Sequence, residues 1–241
     1  MFGPEGPSLR ELAVQALSSV EHGYDLLAPK FDHTPFRTPE PVLDAVAAAL
    51  ARLGPFGAGL DLCCGTGAGL DVLSTVCRDG VTGVDFSAGM LSVAREHTRS
   101  LPTPVHLVQA DARALPFAQA FDVVVSFGAF GHFLPRELPG LFARVHSVLR
   151  PGGSFAFPVL APPRPGSPAF CMLLGFDAVM RVRNAVWRPP FVMYYRAFRF
   201  GDAVRELTRA GFDVGSQALP EFGHRPDGSR RARLVVARRA A

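Results

Sequence analysis

The chain has 241 residues, of which 48% are hydrophobic and 19% charged, and its formal net charge is +4. This length and apolar content predict a sizeable core and exclude a globally disordered chain. The modest charge, carried almost entirely by arginines, favours a solvated basic surface near the C-terminus over a nucleic-acid interface. No uncharged stretch reaches the roughly 18 residues that a membrane span needs.

The cysteines give no sign of a metal site or a disulfide framework. The chain has four (Cys63, Cys64, Cys77 and Cys171), without a CxxC pair or a zinc-ligand spacing. The N-terminus lacks the basic stretch and apolar run of a secretory leader. We therefore expect free thiols, no metal and a cytoplasmic location.

Two amphipathic helices are predicted before the first strand. Residues 8–27 form the first, with Ser8 as its N-cap, and residues 38–50 form the second, capped by Thr38. We expect residues 1–55 to form an N-terminal helical cap segment.

Strands and helices alternate from residue 57 onward. Strands are predicted at 57–63, 80–86, 105–111, 121–127 and 154–160, and helices at 68–77, 87–100 and 135–150, the last ended by Pro151, Gly152 and Gly153. Ser87 is the expected cap of the middle helix. This order predicts an α/β fold with a mainly parallel sheet, helices on both faces and a core over 56–160.

The alternation of strands and helices is interrupted over residues 161–200. This stretch opens with a proline-rich turn and continues into an apolar helix near 170–187, which we interpret as an insertion after the fifth strand. A helix at 201–211, capped by Asp202 and closed by Gly211, then precedes strands at 212–219 and 231–239. The last two strands predict an antiparallel pair at one edge of the sheet, so that 201–241 complete the core.

The turn after the first strand, DLCCGTGAG, combines glycines with a carboxylate. Gly65, Gly67 and Gly69 alternate, and Asp61 stands four residues before the first of them. The dinucleotide pattern G-x-G-x-x-G would need glycine at Leu70. Because a carboxylate repels a pyrophosphate and attracts a cation, the turn predicts a positively charged ligand and disfavours a nicotinamide oxidoreductase.

This stretch closely resembles the first motif of class I S-adenosylmethionine-dependent methyltransferases. The resemblance implies a Rossmann-like sheet of seven strands with an antiparallel edge strand, and S-adenosylmethionine as cofactor, with S-adenosylhomocysteine as product. It also implies that Asp61 holds the ammonium group, directly or through water, and that Gly65, Thr66 and Gly67 lie under the methionyl part. Cys63 stands where many family members have glycine.

Further motifs follow in the family's order. The resemblance assigns the ribose to Asp85, the flanks of the adenine to Phe86 and Met90, and the adenine edge to Asp111 with Ala112 or Arg113. The segment GYDLLAPKFD resembles a stretch that folds over the cofactor in relatives, which implies that Tyr24 and Phe31 cover the methionyl end. Ser126 and Phe127, after the fourth strand, complete the expected cofactor-binding set.

The acceptor site is expected beyond the same strand ends. The segment SFGAFGHF lacks the Asn/Asp-Pro-Pro-Tyr/Phe tetrapeptide of nucleic-acid amino-methylating enzymes, and it resembles the small-molecule branch. His132 is therefore the candidate base or substrate-orienting residue. We expect residues 161–200 to roof an apolar or aromatic acceptor, with Arg181, Arg183 and Arg188 either meeting an anionic group or facing water.

Two other functions fit the same motifs. One is a cofactor-binding protein without turnover, acting as a regulator or partner subunit, and the other is an RNA-modifying methyltransferase that uses the C-terminal arginines. The sequence does not identify the acceptor, the methylated atom or the oligomeric state.

Overall fold

A computed structural model of the chain describes residues 5–34, 36–187 and 200–241. Its helices are α1 (Leu9–Leu17), α2 (Val20–Leu27), α3 (Glu40–Ala51), α4 (Ala68–Val76), α5 (Ala88–His97), α6 (Leu138–Val148), α7 (Pro168–Val186) and α8 (Phe200–Arg209). Its strands are β1 (Phe56–Leu62), β2 (Cys77–Asp85), β3 (Val105–Gln109), β4 (Phe121–Val125), β5 (Leu149–Leu160), β6 (Phe212–Ala218) and β7 (Ala232–Arg239). The predicted alternation of strands and helices is confirmed.

The strands of these ranges form one seven-stranded sheet in the order β3-β2-β1-β4-β5-β7-β6. The first five positions pair in parallel, whereas β7 runs antiparallel to both of its neighbours. The expected antiparallel pair is therefore present. It consists of the edge strand β6 and its neighbour β7, which is the strand that runs antiparallel to the others. The strand order switches direction between β1 and β4, which opens a crevice at the carboxyl ends of these strands.

The core has two layers, one on each face of the sheet. Strand β4 shows both, because Val124 packs in one apolar cluster and Val123 and Val125 pack in the other. The first cluster contains residues of α6 and α8, and the second contains residues of α3 and α4. These buried faces fix the strand ends that carry the site.

The N-terminal segment differs from its prediction in two details. The single helix expected over 8–27 is two helices, because Ser18 ends α1 and the Ser19 hydroxyl accepts from the amide of His22 to cap α2. Ser8 caps α1 as predicted, in a reciprocal pairing with Glu11. Thr38 was the wrong cap for α3, since Pro39 holds the N-cap position.

Two strands begin earlier than predicted, and one helix cap differs. β2 starts at Cys77, which pairs with Phe56 ahead of a register shift in β1. β5 starts at Leu149, so Pro151–Gly153 lie within the strand and do not end the helix; the register there is irregular and Gly152 has a φ of 76°. Asp202 lies in the first turn of α8, which starts at Phe200, whereas Gly211 follows α8 with a φ of 94°, as expected of a closing glycine.

Helix α7, within the insertion, packs on the N-terminal segment. The Arg183 guanidinium donates from Nε to the carbonyl of Ala16 and from Nη2 to that of Ser18, both at 2.9 Å. Burial lowers the pKa of Arg183. Arg183 thus binds the carboxyl end of α1, an arrangement that differs from the expected anionic ligand or exposure to water. Arg181 lies 3.4 Å from Asp177, and Arg188 is outside the described residues.

Within the described part of the chain, no helix is both long and apolar enough to cross a membrane. The same residues contain no group of three or more histidine, cysteine, aspartate or glutamate side chains that could hold a metal ion.

Candidate functional site

The turn after β1 follows an unusual backbone path. Cys63, Gly65 and Gly67 have φ values of 59°, 52° and 101°. Gly67 is the N-cap of α4 in the left-handed conformation, which glycine adopts without steric cost. The amide of Cys64 donates to Val84 at 2.9 Å and ties the turn to the neighbouring strand. The glycine pattern therefore predicted this turn correctly.

Asp61 lies beside this turn, at the end of β1, and is only 1% exposed. A Cβ on Gly69 would collide with the Asp61 carboxylate and would lie 2.7 Å from the Phe127 ring, so the third glycine makes room for both side chains. Oδ1 of Asp61 is buried and has no hydrogen-bond partner within the described residues. An orphaned buried carboxylate oxygen is costly, and a cationic donor would relieve that cost.

The pKa of Asp61 also favours a cationic ligand at this carboxylate. Burial raises the pKa of Asp61 well above its usual range, and the nearby charges of Asp85 and Asp71 raise it further. An ammonium group beside the carboxylate would favour its charged form and reverse this shift, whereas a phosphate would add to the repulsion. The residues present therefore fit an amino-acid ammonium group better than a diphosphate.

Asp85 ends β2 and points its carboxylate at the same turn. Its Oδ2 accepts from the amide of Gly65 at 2.9 Å, and its Oδ1 accepts from the amide of Ser87 at 3.0 Å. Burial raises the pKa of Asp85, and these amides oppose that shift. Each oxygen retains acceptor capacity, because a carboxylate offers about four lone-pair sites. The position suits hydrogen bonding to two hydroxyl groups, as predicted for a ribose.

Asp111 and Arg113 form an ion pair on the other side of the crevice. The Arg113 guanidinium contacts both carboxylate oxygens of Asp111, at 2.6 Å from Nη2 to Oδ2, and reaches Glu137 at 2.8 Å. The hydrogen bonds from Arg113 lower the pKa of Asp111. An adenine amino group would therefore have to share the Asp111 carboxylate with Arg113.

A cavity of about 740 Å³ lies over the carboxyl ends of the strands. This volume falls within the range of roughly 300–1,000 Å³ that is usual for small-molecule sites. It brings together most of the sequence-predicted residues, which are Tyr24, Phe31, Gly65, Asp85, Phe86, Met90, Asp111, Ala112, Arg113, Phe127 and His132. These residues come from five separate segments of the chain, and the fold brings them to one place.

Four predicted residues do not line the cavity. Asp61 is buried at the end of β1, and Gly67 lies within the turn as the N-cap of α4. Ser126 is fully buried and donates its hydroxyl to the carbonyl of Leu62 at 3.0 Å, which joins β4 to β1. The Thr66 hydroxyl donates to Asp32 at 2.7 Å. The structure gives Thr66 and Ser126 partners within the protein.

The N-terminal segment is bonded to the core at two points. Oδ1 of Asp25 accepts from the Ser87 hydroxyl at 2.6 Å and from the Gly89 amide at 2.9 Å, at the start of α5. Asp32 accepts from Thr66 in the glycine turn. Neither aspartate was predicted from the sequence, although Asp25 directly follows Tyr24 and Asp32 directly follows Phe31, the two aromatic residues with expected roles.

His132 ends a 3-10 turn, Ala129–His132, that follows β4. Its Nε2 lies 3.0 Å from the hydroxyl oxygen of Tyr24. The apolar wall around it was not predicted residue by residue; it includes Phe130, Phe133, Phe157, Val159 and Leu160. Of the described residues of α7, none lines the cavity. For Phe130 and Phe133 the sequence signal was the segment SFGAFGHF, which was expected at the acceptor site. For Phe157, Val159 and Leu160 it was only the general placement of acceptor sites beyond the strand ends.

Comparisons with known proteins agree with this geometry. Residues 60–153 match the model of a methyltransferase domain family. The chain is 43% identical over 98 residues to a demethylmenaquinone methyltransferase of Staphylococcus aureus, and the match covers 39% of each chain. The chain thus spans about two fifths of the length of the curated relatives it matches.

Solved structures show the same fold at low sequence identity. A SAM-dependent methyltransferase of Methanosarcina mazei is 18% identical with a TM-score of 0.59, covering 78% of this chain and 94% of that one. An S-adenosylmethionine-dependent methyltransferase of Clostridium acetobutylicum is 16% identical with a TM-score of 0.60, covering 85% and 93%. Residues 60–153 thus match a methyltransferase domain family, and the chain shares the fold of these two solved methyltransferases.

Proposed function

We propose that the chain transfers a methyl group from S-adenosylmethionine to an apolar or aromatic small molecule. The part of this proposal that concerns cofactor binding rests on the buried Asp61 carboxylate beside the glycine turn. Its Oδ1 lacks a hydrogen-bond partner among the described residues. When bound, S-adenosylmethionine supplies an electrophilic methyl group on a sulfonium centre. The chain's own residues then bind, orient and exclude water.

The cofactor half would be held as follows. Asp61 would take the ammonium group, and Asp85 the ribose hydroxyls, since both carboxylates are buried at the ends of adjacent parallel strands. The other expected contacts are the backbone of Gly65, Thr66 and Gly67, the sides of Phe86 and Met90, the edge formed by Asp111, Ala112 and Arg113, the wall at Ser126 and Phe127, and a cover of Tyr24 and Phe31. In this division residues 56–160 form the cofactor-binding core, 1–55 its cap, 161–200 an insertion and 201–241 the completion of the sheet.

The acceptor half is apolar. Phe130, Phe133 and Phe157 lie in the cavity wall, together with Val159 and Leu160 at the end of β5. Such a wall favours an acceptor with an aromatic or aliphatic body. The Staphylococcus aureus relative, which is named for demethylmenaquinone, supports a small molecule over a macromolecule. His132, in the same wall, would orient the acceptor or take up its proton.

Isothermal titration with S-adenosylhomocysteine tests the cofactor half. We expect micromolar binding and, in Asp61→Asn, a loss of about ten- to a hundredfold, since a hydrogen bond to a charged group is worth roughly 1.5–3 kcal/mol. Asp44→Asn is the matched control, because Asp44 is exposed on α3. Absence of binding, or equal losses in both variants, would contradict the proposal, as would tight binding of NAD at this turn.

A labelled-methyl screen tests the transfer itself. Incubation of the protein with methyl-labelled S-adenosylmethionine and a cell extract should label a small, organic-extractable product. Label recovered in RNA would favour the nucleic-acid alternative. Tight cofactor binding without any methyl consumption would favour the binding protein without turnover.

A further inference from the structure

Tyr24 and His132 are 108 positions apart, yet they share one hydrogen bond inside the cavity. The Tyr24 hydroxyl oxygen lies 3.0 Å from Nε2 of His132. The two rings meet edge to face, with centroids 5.3 Å apart and an interplanar angle of 88°. Both residues line the cavity. The sequence predicts a cofactor role for Tyr24 and an acceptor role for His132, whereas in the structure the two side chains contact each other.

Contacts with neighbouring residues hold both Tyr24 and His132 in place. Asp25, the residue after Tyr24, is bonded to the start of α5 through Ser87 and Gly89. The Tyr24 ring also lies near Phe31, with centroids 6.1 Å apart, and it packs against Met180 of α7. His132 is set by the short turn that begins after Gly128, which has a φ of 75°. The bond therefore joins two separately anchored segments.

The chemistry of the two groups constrains the proton. A neutral imidazole has one N–H donor and one bare nitrogen acceptor, and a phenol hydroxyl can donate one hydrogen bond and also accept. The tautomer of a histidine is set by what its nitrogens bond. If the phenol donates to Nε2, the neutral ring carries its proton on Nδ1. After Nε2 takes up a proton, the same phenol oxygen can accept from it, so the contact persists in both states.

We propose that Tyr24 is a positioning residue for His132: its hydroxyl donates to Nε2 and holds the ring in the Nδ1-protonated tautomer within the acceptor half of the cavity. The reaction role of the pair rests on the proposed function, in which the imidazole ring of His132, held in this orientation, orients the acceptor. Tyr24 thereby serves the acceptor chemistry rather than covering the methionyl end of the cofactor.

Other ionisable groups share the cavity wall and bear on any titration of His132. They are Arg37 ahead of α3, Cys63 in the glycine turn, Asp85 at the end of β2, Asp111 and Arg113 after β3, and Arg136 and Glu137 before α6. Arg37 contacts Glu40, and Arg113 contacts both Asp111 and Glu137. A Tyr24→Phe substitution leaves all of them in place, so a difference between that variant and the native protein reports on the hydroxyl.

Nitrogen NMR of ¹⁵N-histidine-labelled protein tests this assignment without substrate. The two ring nitrogens of a neutral imidazole have distinct shifts, which identify the protonated one, and His132→Asn assigns the signal. We expect the native ring to be protonated on Nδ1 above its titration midpoint. Tyr24→Phe should shift it at least in part to the Nε2-protonated form, whereas Phe31→Leu, which keeps the hydroxyl, should not.

A native ring protonated on Nε2 would overturn the proposal, and this result does not depend on the folding of a Tyr24 variant. So would an unchanged tautomer in Tyr24→Phe, checked for native circular dichroism. Titration with S-adenosylhomocysteine separates the two roles of Tyr24: we expect less than a threefold change in Kd for Tyr24→Phe, and a tenfold loss with an unchanged tautomer would return Tyr24 to the cofactor cover. Failure of the native protein to bind S-adenosylhomocysteine would instead count against the proposed function and leave the tautomer result standing.

Discussion

Cys63 holds a backbone conformation that suits glycine. Its φ of 59° is the only positive value at a non-glycine position within the described residues. The left-handed region costs an L-residue roughly 1–2 kcal/mol. Cys63 also lines the cavity, where burial raises the pKa of its thiol well above the usual range. The thiol is thus held in its neutral form beside the carboxylates of the site.

Cys63→Gly should stabilise the protein. Relief of the left-handed conformation is offset by the larger unfolded-state entropy of glycine, about 0.4–1 kcal/mol, which leaves a net gain of roughly 0.5–1 kcal/mol. The expected rise in Tm is about 1–4 °C for a chain of this size. Cys63→Ala is the matched control, because it removes the sulfur and keeps the strained conformation. A Tm for Cys63→Gly that is no higher than that of Cys63→Ala would contradict the predicted net gain.

At the scale of elements, α2 and α5 are in unusually close contact. A Cβ on Gly89 would lie 2.9 Å from the Cα of Asp25 and 3.0 Å from its carbonyl oxygen. The obstacle is backbone, so it cannot be relieved by a side-chain rotation. The close approach is what allows the Asp25 carboxylate to reach the amide of Gly89.

Gly89→Ala should loosen the N-terminal segment from the core. We expect faster tryptic cleavage after Lys30 and Arg37, several-fold over the native rate, and weaker binding of S-adenosylhomocysteine. Gly140→Ala in α6 is the control, since its Cβ would meet nothing within 4 Å and alanine favours a helix interior by roughly 0.5–1 kcal/mol. If both alanines stabilise the protein and leave cleavage unchanged, the close contact does not hold this segment.

The sequence predicted elements better than their ends. Residues with a dominant local preference were predicted correctly, as Ser8 and Ser87 were at helix N-caps. Positions at which a local pattern and another interaction favour different structures were predicted wrongly. Ser18 and Ser19 end one helix and begin the next, although the apolar pattern continues through both. Leu149 belongs to β5 because it pairs with Phe121 of β4. Such outcomes depend on partners that are distant in the chain, which a local pattern does not contain.

At the scale of the molecule, motif order along the chain predicted the fold and the converging strand ends. It could not predict which side chains face the cavity and which are taken up by other protein groups. Thr66 is bonded to Asp32, and Asp111 is paired with Arg113, although motif position alone gave both a ligand. The Tyr24–His132 contact could not be predicted from the sequence either, because it depends on how the N-terminal segment packs against the rest of the protein.

The buried carboxylates should make the stability of the whole molecule depend on pH. Asp61 and Asp85 both have a raised pKa in the folded state, chiefly through burial. The folded state therefore holds these protons to higher pH than the unfolded chain, whose aspartates titrate near about 3.9. Their contribution to stability is present below that value and is lost as the pH rises toward the folded-state pKa values.

Thermal unfolding between pH 4 and 8 checks this. Relative to the native protein, Asp61→Asn should show a smaller fall in Tm with rising pH and a higher Tm at neutral pH by a few degrees, since about 1 kcal/mol corresponds to roughly 2–4 °C. Asp44→Asn should follow the native curve. A lower Tm for Asp61→Asn at neutral pH would show that the folded protein already satisfies this carboxylate.

Some of the segments that line the cavity lie within the residues that match the family model, and others lie outside them. The stretch that matches the methyltransferase domain, residues 60–153, contains the glycine turn, Asp85 and Asp111, whereas Val20, Tyr24, Phe36 and the run from Phe157 to Leu160 lie outside it. Part of the surface that would recognise the acceptor thus lies outside the matched stretch, whereas Phe130, His132 and Phe133 lie within it. Under the proposed function, exchange of the flanking segments would alter acceptor selectivity, while the central stretch would keep the carboxylates assigned to the methyl donor.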